Sequence, residues 1–156
     1  MKKDIFDWLN DYNHYHKNRT NKIIHWICIP LIIFSLFGLL SLTSNYNISF
    51  QNYNITLVHG LIIFSILFYL RLSVSIAIGM LCFSLAINLI VEKLIFFSPN
   101  GQLYFYLFIF IIAWIMQFLG HKIEGKKPAF FKDLKFLLIG PAWMLSAIYL
   151  KLKIRI

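Results

Sequence analysis

The chain has 156 residues, of which 60% are hydrophobic and 13% charged, with 15 Lys and Arg against 6 Asp and Glu and a formal charge of +9. A chain of this length has room for one domain, and a soluble fold of its size lacks the interior to hide that much apolar side chain, so an ordinary water-soluble globule is excluded and lipid is the expected solvent. Nucleic acid is excluded as the partner of the basic charge, because the cations sit in a few clusters flanking long uncharged runs, the positive-inside pattern of a membrane protein.

At the N-terminus, Lys2-Lys3 is followed by Asp4, Asp7, Asn10 and Asp11 rather than by an apolar segment, so no cleavable signal is expected. Ile5, Leu9, Tyr12 and His16 fall on one helical stripe with Trp8 beside them, and Asp7, Asn10, Asp11 and His14 fall opposite. This predicts an interfacial helix with its Trp and Tyr at the headgroup level, His16 facing protein or membrane and His14 facing water. A break follows at Asn18-Arg19-Thr20-Asn21, with Thr20 or Asn21 as the N-cap of the first span. His16 and His25 would point apart on one continuous helix, but they converge across a helix-turn-helix.

Segments 23–70, 72–91, 94–120 and 136–150 contain no Asp, Glu, Lys or Arg. The first is divided by a polar stretch over 44–54 that favours a turn, which gives four expected spans at 22–43, 55–70, 72–97 and 103–121. Ser98-Pro99-Asn100-Gly101 reads as the turn before the last of these. Four crossings put both termini and the loop at 121–135 on one side, together with every basic residue except Lys93. The last run is short and carries Gly140-Pro141, so it is expected to bend there as a re-entrant hairpin or to form a short fifth membrane helix. The predicted fold is thus an all-α integral membrane protein with one domain over 1–156: interfacial helix and turn (1–21), four spans (22–121), then a basic loop and C-terminal hydrophobic hairpin (122–156).

Gln117, His121 and Glu124 share a face if helix persists past Gly120, at the same membrane boundary as His16 and His25. Three imidazoles and a carboxylate there suit a non-haem iron centre with positions open for substrate and dioxygen, with Zn²⁺ as the other candidate. Gln117 or Asn21 would orient a ligand. One His at a helix end is more often a hydrogen-bonded interface residue, and the expectation of a metal rests on three at one depth. His14 reads as solvated, His59 as a helix-packing hydrogen-bonder, Glu92-Lys93 as a snorkelling pair, and Lys126-Lys127 as a contact to anionic lipid. Cys28 and Cys82 lie in apolar segments without CxxC spacing, and no GxGxxG or GxxxxGK[ST] occurs, so disulfide, zinc ribbon and nucleotide loop are not indicated.

Two blocks carry a resemblance. Tyr15-His16-Lys17-Asn18-Arg19-Thr20-Asn21-Lys22-Ile23-Ile24-His25-Trp26-Ile27-Cys28-Ile29-Pro30 resembles the N-terminal signature of the Mpo1-like family. Trp114-Ile115-Met116-Gln117-Phe118-Leu119-Gly120-His121-Lys122-Ile123-Glu124-Gly125-Lys126-Lys127-Pro128-Ala129, followed by Leu138-Ile139-Gly140-Pro141, is similar to its C-terminal signature. The resemblance implies an Fe(II)-dependent dioxygenase of fatty acid α-oxidation, using dioxygen as co-substrate to remove C1 from a long-chain 2-hydroxy fatty acid. It implies His16, His25, His121 and Glu124 as the metal-binding catalytic set. The acid's tail is expected among the helices, and its carboxylate at the basic boundary near Arg19, Lys126 or Lys127. Membrane lipids are the other expected partners. The Lys/Asn/Ile-rich usage favours a bacterial inner membrane over an endoplasmic-reticulum membrane, with the N-terminus and metal site cytoplasmic. Two rival readings exist. A noncatalytic scaffold or lipid-binding protein would use the same basic face without metal, while a transporter would need more deep polar residues than Asn88 and His59.

Overall fold

The structure is a computed structural model, and it describes residues 3–43, 48–50, 53–94, 98–128 and 135–156. The helices are α1 (Ile5–His14), α2 (Arg19–Ser41), α3 (Leu57–Leu70), α4 (Val74–Lys93), α5 (Pro99–Glu124) and α6 (Phe136–Leu152), with strands β1 (Ile48–Phe50) and β2 (Tyr53–Ile55) between α2 and α3. Three helical segments, Arg19–Ser41, Val74–Lys93 and Asn100–Glu124, are long and apolar enough to cross a membrane; α3 and α6 are shorter apolar helices.

Several boundaries differ from the sequence reading for local reasons. Asn18, not Thr20 or Asn21, caps α2, its Oδ1 accepting from the amides of Thr20 and Asn21 at 2.8 and 3.4 Å. That extends the helix by one turn and draws Asn21 inside it. Ser98-Pro99-Asn100-Gly101 is a helix start rather than a turn: the Ser98 hydroxyl accepts from Gly101 N, and Pro99 occupies the first helical position, where its missing N–H costs nothing. His59 is a cap partner rather than a packing residue, with Nδ1 3.1 Å from Thr56 N at the start of α3. The all-helical expectation holds for every long element, and the polar stretch between α2 and α3 adds a short antiparallel pairing, Ile48 opposite Ile55 and Phe50 opposite Tyr53. The expected end of the third span at 95–97 and the loop residues 129–134 lie outside the described residues.

The C-terminal run is not a hairpin. Gly140 and Pro141 lie within one continuous helix. Proline removes one amide donor, and side chains from neighbouring elements hold both halves of α6 in line. Tyr69 donates its hydroxyl to Leu138 O at 2.7 Å, Trp143 Nε1 donates to Asn13 Oδ1 at 2.7 Å, and Tyr149 donates to Ser75 O at 2.9 Å.

The stripe read on α1 is buried as drawn, through Ile5, Trp8, Leu9 and Tyr12, but it packs on α6. Trp8 meets Phe136 edge-on at 5.3 Å, and Tyr12 lies 5.3 Å from Trp143. Asp4 and Asp7 form a reciprocal capping box that starts the helix. Helix α1 thus packs against α6 as a layer of the protein interior.

Helices α2 and α5 form the main seam, and small residues set their spacing. A Cβ on Gly38 would overlap the Tyr106 ring, and one on Gly120 would lie 2.5 Å from Asn21 Oδ1. Gly120→Ala is therefore expected to lower stability by about 1–3 kcal/mol, as overpacking does. The check is thermal unfolding in detergent, where an unchanged midpoint would contradict the close approach. Helix α5 runs past Gly120 to Glu124 and stops at Gly125, whose φ of 70° ends it.

Candidate metal centre

Three elements deliver one imidazole each to a single point: His16 from the α1–α2 turn, His25 from the second turn of α2, and His121 from the last turn of α5. Ring centroids are 4.2 Å apart for His16 and His25, 5.0 Å for His16 and His121, and 4.9 Å for His25 and His121. One nitrogen from each falls within 4.8 Å of the others.

The hydrogen bonds decide which nitrogens are free. His16 Nδ1 lies 2.8 Å from Tyr12 O, and His25 Nδ1 lies 2.9 Å from Asn21 O. A carbonyl only accepts, so both Nδ1 atoms carry the proton and both Nε2 atoms keep a lone pair. Each ring is thus held by the carbonyl one helical turn behind it, the arrangement by which backbone acceptors orient metal-binding histidines. His16 Nε2 and His121 Nδ1 are buried with no hydrogen-bond partner. Unpartnered lone pairs cost free energy in a fold, and three converging imidazoles are the donor chemistry that a transition-metal ion satisfies. The residues fit such an ion.

Burial is near complete, with exposures of 1% for His16, 1% for His25 and 5% for His121. Desolvation, reinforced by His121 and Lys22, pushes His16 down from the usual 6.5 to about 4, so it is neutral and able to donate its lone pair at pH 7. The unfolded chain therefore binds more protons than the folded one between about pH 4 and 6.5. Stability of the metal-free protein should be level above that window and fall as pH drops through it, a slope measurable by thermal unfolding at a series of pH values.

Tyr12 stacks on His16 at 4.1 Å with an interplanar angle of 11°, and Trp143 flanks the same ring at 5.6 Å. Sequence reasoning missed both. The stripe placed Tyr12 one turn before His16, which was a usable signal; nothing in the sequence ties Trp143 to this place.

Glu124 does not join the imidazoles. Its Oε1 accepts from Lys17 N at 2.8 Å, and its Oε2 accepts from Asn18 N at 2.8 Å and Asn21 Nδ2 at 3.1 Å. The carboxylate latches the α1–α2 turn to the end of α5 and lies outside the group formed by the three imidazoles. Asn21, expected beside a ligand, links that latch to His25 through its own carbonyl. Gln117 is buried and lines a cavity of about 80 Å³ next to the histidines, with Tyr12, Ile29, Trp114 and Phe136 among its walls.

None of Arg19, Lys126 and Lys127 lines that cavity. Arg19 and Lys127 are exposed. Lys126 donates to His14 O at 2.6 Å and lies 3.3 Å from His14 Nδ1, a cation on the C-terminal carbonyls of α1. His14 is exposed, as its helical position required. An open cleft on the outer side of His16 is instead lined by Lys17 and Lys22.

A family model described as 2-hydroxy-palmitic acid dioxygenase Mpo1-like matches residues 3–152. The chain belongs to the Mpo1-like family. A curated member, the 2-hydroxy-palmitic acid dioxygenase of Saccharomyces cerevisiae, is 31% identical over 154 residues, covering 96% of this chain and 82% of the yeast protein. No solved structure matches. In this Mpo1-like protein, the match takes in the turn that carries His16, the start of α2 and the end of α5, so all three imidazoles lie within it.

Proposed function

We propose that this protein is an Fe(II)-dependent dioxygenase that removes C1 from long-chain 2-hydroxy fatty acids, with His16, His25 and His121 holding the metal. The observation that carries the reading is the buried, partnerless lone pair of His16 Nε2, gathered with His25 and His121 in a chain whose yeast relative is a 2-hydroxy-palmitic acid dioxygenase. When bound, Fe(II) supplies the redox chemistry that lets dioxygen react with the acid.

The chain's own residues supply the rest. The carbonyls of Tyr12 and Asn21 keep the Nε2 atoms of His16 and His25 unprotonated and aimed inward. The donor set is neutral, so the charge of a divalent ion is left to be matched by the substrate, which favours an anionic acid. Lys17 and Lys22 border the outer cleft beside His16 and attract the carboxylate, with Arg19, Lys126 and Lys127 adding to the same basic face. The apolar cavity takes the start of the tail and excludes water. With dioxygen as the four-electron oxidant, breaking the C1–C2 bond and oxidising C2 to a carboxylate would yield an acid one carbon shorter, with C1 leaving as carbon dioxide and the remaining oxygen as water.

In the membrane, α2, α3, α4 and α5 make four crossings. Helix α3, about 21 Å long, is a short one flanked by α2 and α4. Helix α1 lies at the interface, and α6 is a short fifth membrane helix. The basic face then lies on the cytoplasmic side of a bacterial inner membrane.

Purified protein loaded anaerobically with Fe(II), then given oxygen and a mixed panel of 2-hydroxy acids, should produce acids one carbon shorter by mass spectrometry. Protein that retains no transition metal and gains no activity with Fe(II) would point to the scaffold reading instead.

A further inference from the structure

The histidine cavity adjoins a second apolar space. This space, of about 50 Å³, is walled by Met80 and Phe83 of α4 and by Met144 and Ile148 of α6, and it shares Ile29 and Pro141 with the histidine cavity. No polar side chain lines it. On α6 the two linings run from Phe136 to Ile148, about 18 Å of helix, with the histidine cavity at the Phe136 end and the second space at the Ile148 end. The two linings meet at one aliphatic side chain and one proline ring, and the wall of the second space includes two methionines, the side chains that most readily repack around a guest.

The geometry points to a single tail slot: the alkyl chain of the 2-hydroxy acid passes from the histidines between Ile29 and Pro141 into the second space, and Phe83 and Ile148 set the chain length accepted. This rests on the dioxygenase reading for the identity of the headgroup, but the slot is tested by binding alone. Ile148 lies at the rim and is 38% exposed, so a larger side chain there closes the slot without overpacking the core.

The test uses metal-free full-length protein in detergent and a homologous series of saturated 2-hydroxy acids, read by thermal shift. Affinity in the wild type should rise with each added methylene up to a break. Ile148→Trp should move the break to shorter acids, with about a fourfold loss for every methylene shut out. Phe83→Ala should move it to longer ones. Leu150→Trp, on the exposed face of the same helix, should leave it in place. Comparing variants at one acid cancels partition into the micelle. If Ile148→Trp fails to fold, Phe83→Ala decides alone. A break that stays put in folded Ile148→Trp or Phe83→Ala protein overturns the slot, even where Fe(II)-dependent turnover of 2-hydroxy acids stands. A break that moves as expected with no turnover of any acid supports the slot and removes the dioxygenase reading.

Discussion

Replacing His25 or His121 with alanine should drop the iron retained by purified protein to background and abolish turnover, with helical content unchanged. The physical basis is the set of unpartnered nitrogens. In the metal-free fold His121 Nδ1 is desolvated without compensation, so His121→Ala removes that cost and should lower the metal-free midpoint little, whereas His25→Ala also breaks the bond to Asn21 O and should lower it more. Were His121 kept for structure, its loss would break a satisfied contact and lower the midpoint as well. Iron should raise the midpoint of the wild type by mass action and leave both variants unmoved. His16→Ala is expected to lose iron as well, but to destabilise more, because Tyr12 stacks on that ring. His14→Ala should keep iron and turnover, since His14 lies on the exposed side with Lys126. Metal analysis, circular dichroism and product assay on the same preparations give the answer, and wild-type iron content in His121→Ala would end the assignment.

Glu124→Ala should weaken iron binding by about 10–100-fold rather than abolish it, and should lower stability by about 1–2 kcal/mol. The carboxylate accepts two backbone amides and one carboxamide, which fixes the turn that carries His16 and the Asn21 peptide that holds His25. Its loss strands Lys17 N and Asn18 N and loosens two of the three donors together. Glu124→Gln, which keeps one acceptor oxygen, should fall between wild type and alanine in both measurements. Had Glu124 been a direct ligand, Glu124→Gln would lose iron while the turn stayed in place, so the joint decline of affinity and stability separates latch from ligand.

The distribution of charge-free runs made the helical character and order of the elements readable, because burying backbone polar groups in lipid leaves few alternatives to helix. Helix ends were harder. Asn18 and Ser98 each sit beside other good capping residues, and which hydroxyl or carboxamide reaches an amide depends on how the preceding chain enters. The proline in α6 was misjudged because a sequence records its missing donor but not Tyr69 and Trp143, which brace the helix from other elements. Where the basic side chains end up was not legible for a related reason: long flexible side chains next to a motif can reach several targets, and Lys126 donates to the carbonyl end of α1.

The sequence by itself determined that this chain carries helices apolar enough to cross a membrane, that its cations lie outside the long apolar runs, and that His16, His25 and His121 stand near helix ends, since all three follow from hydropathy and helical period. Tertiary structure alone decided that the three rings face one another, that Glu124 turns outward to grip backbone amides, and that Trp143 and α6 close the site. The reason is range: periodicity orients a side chain about its own helix axis, whereas the distance between side chains on α2 and α5 is set by the packing of Gly38 and Gly120 across a seam that joins residues far apart in the chain.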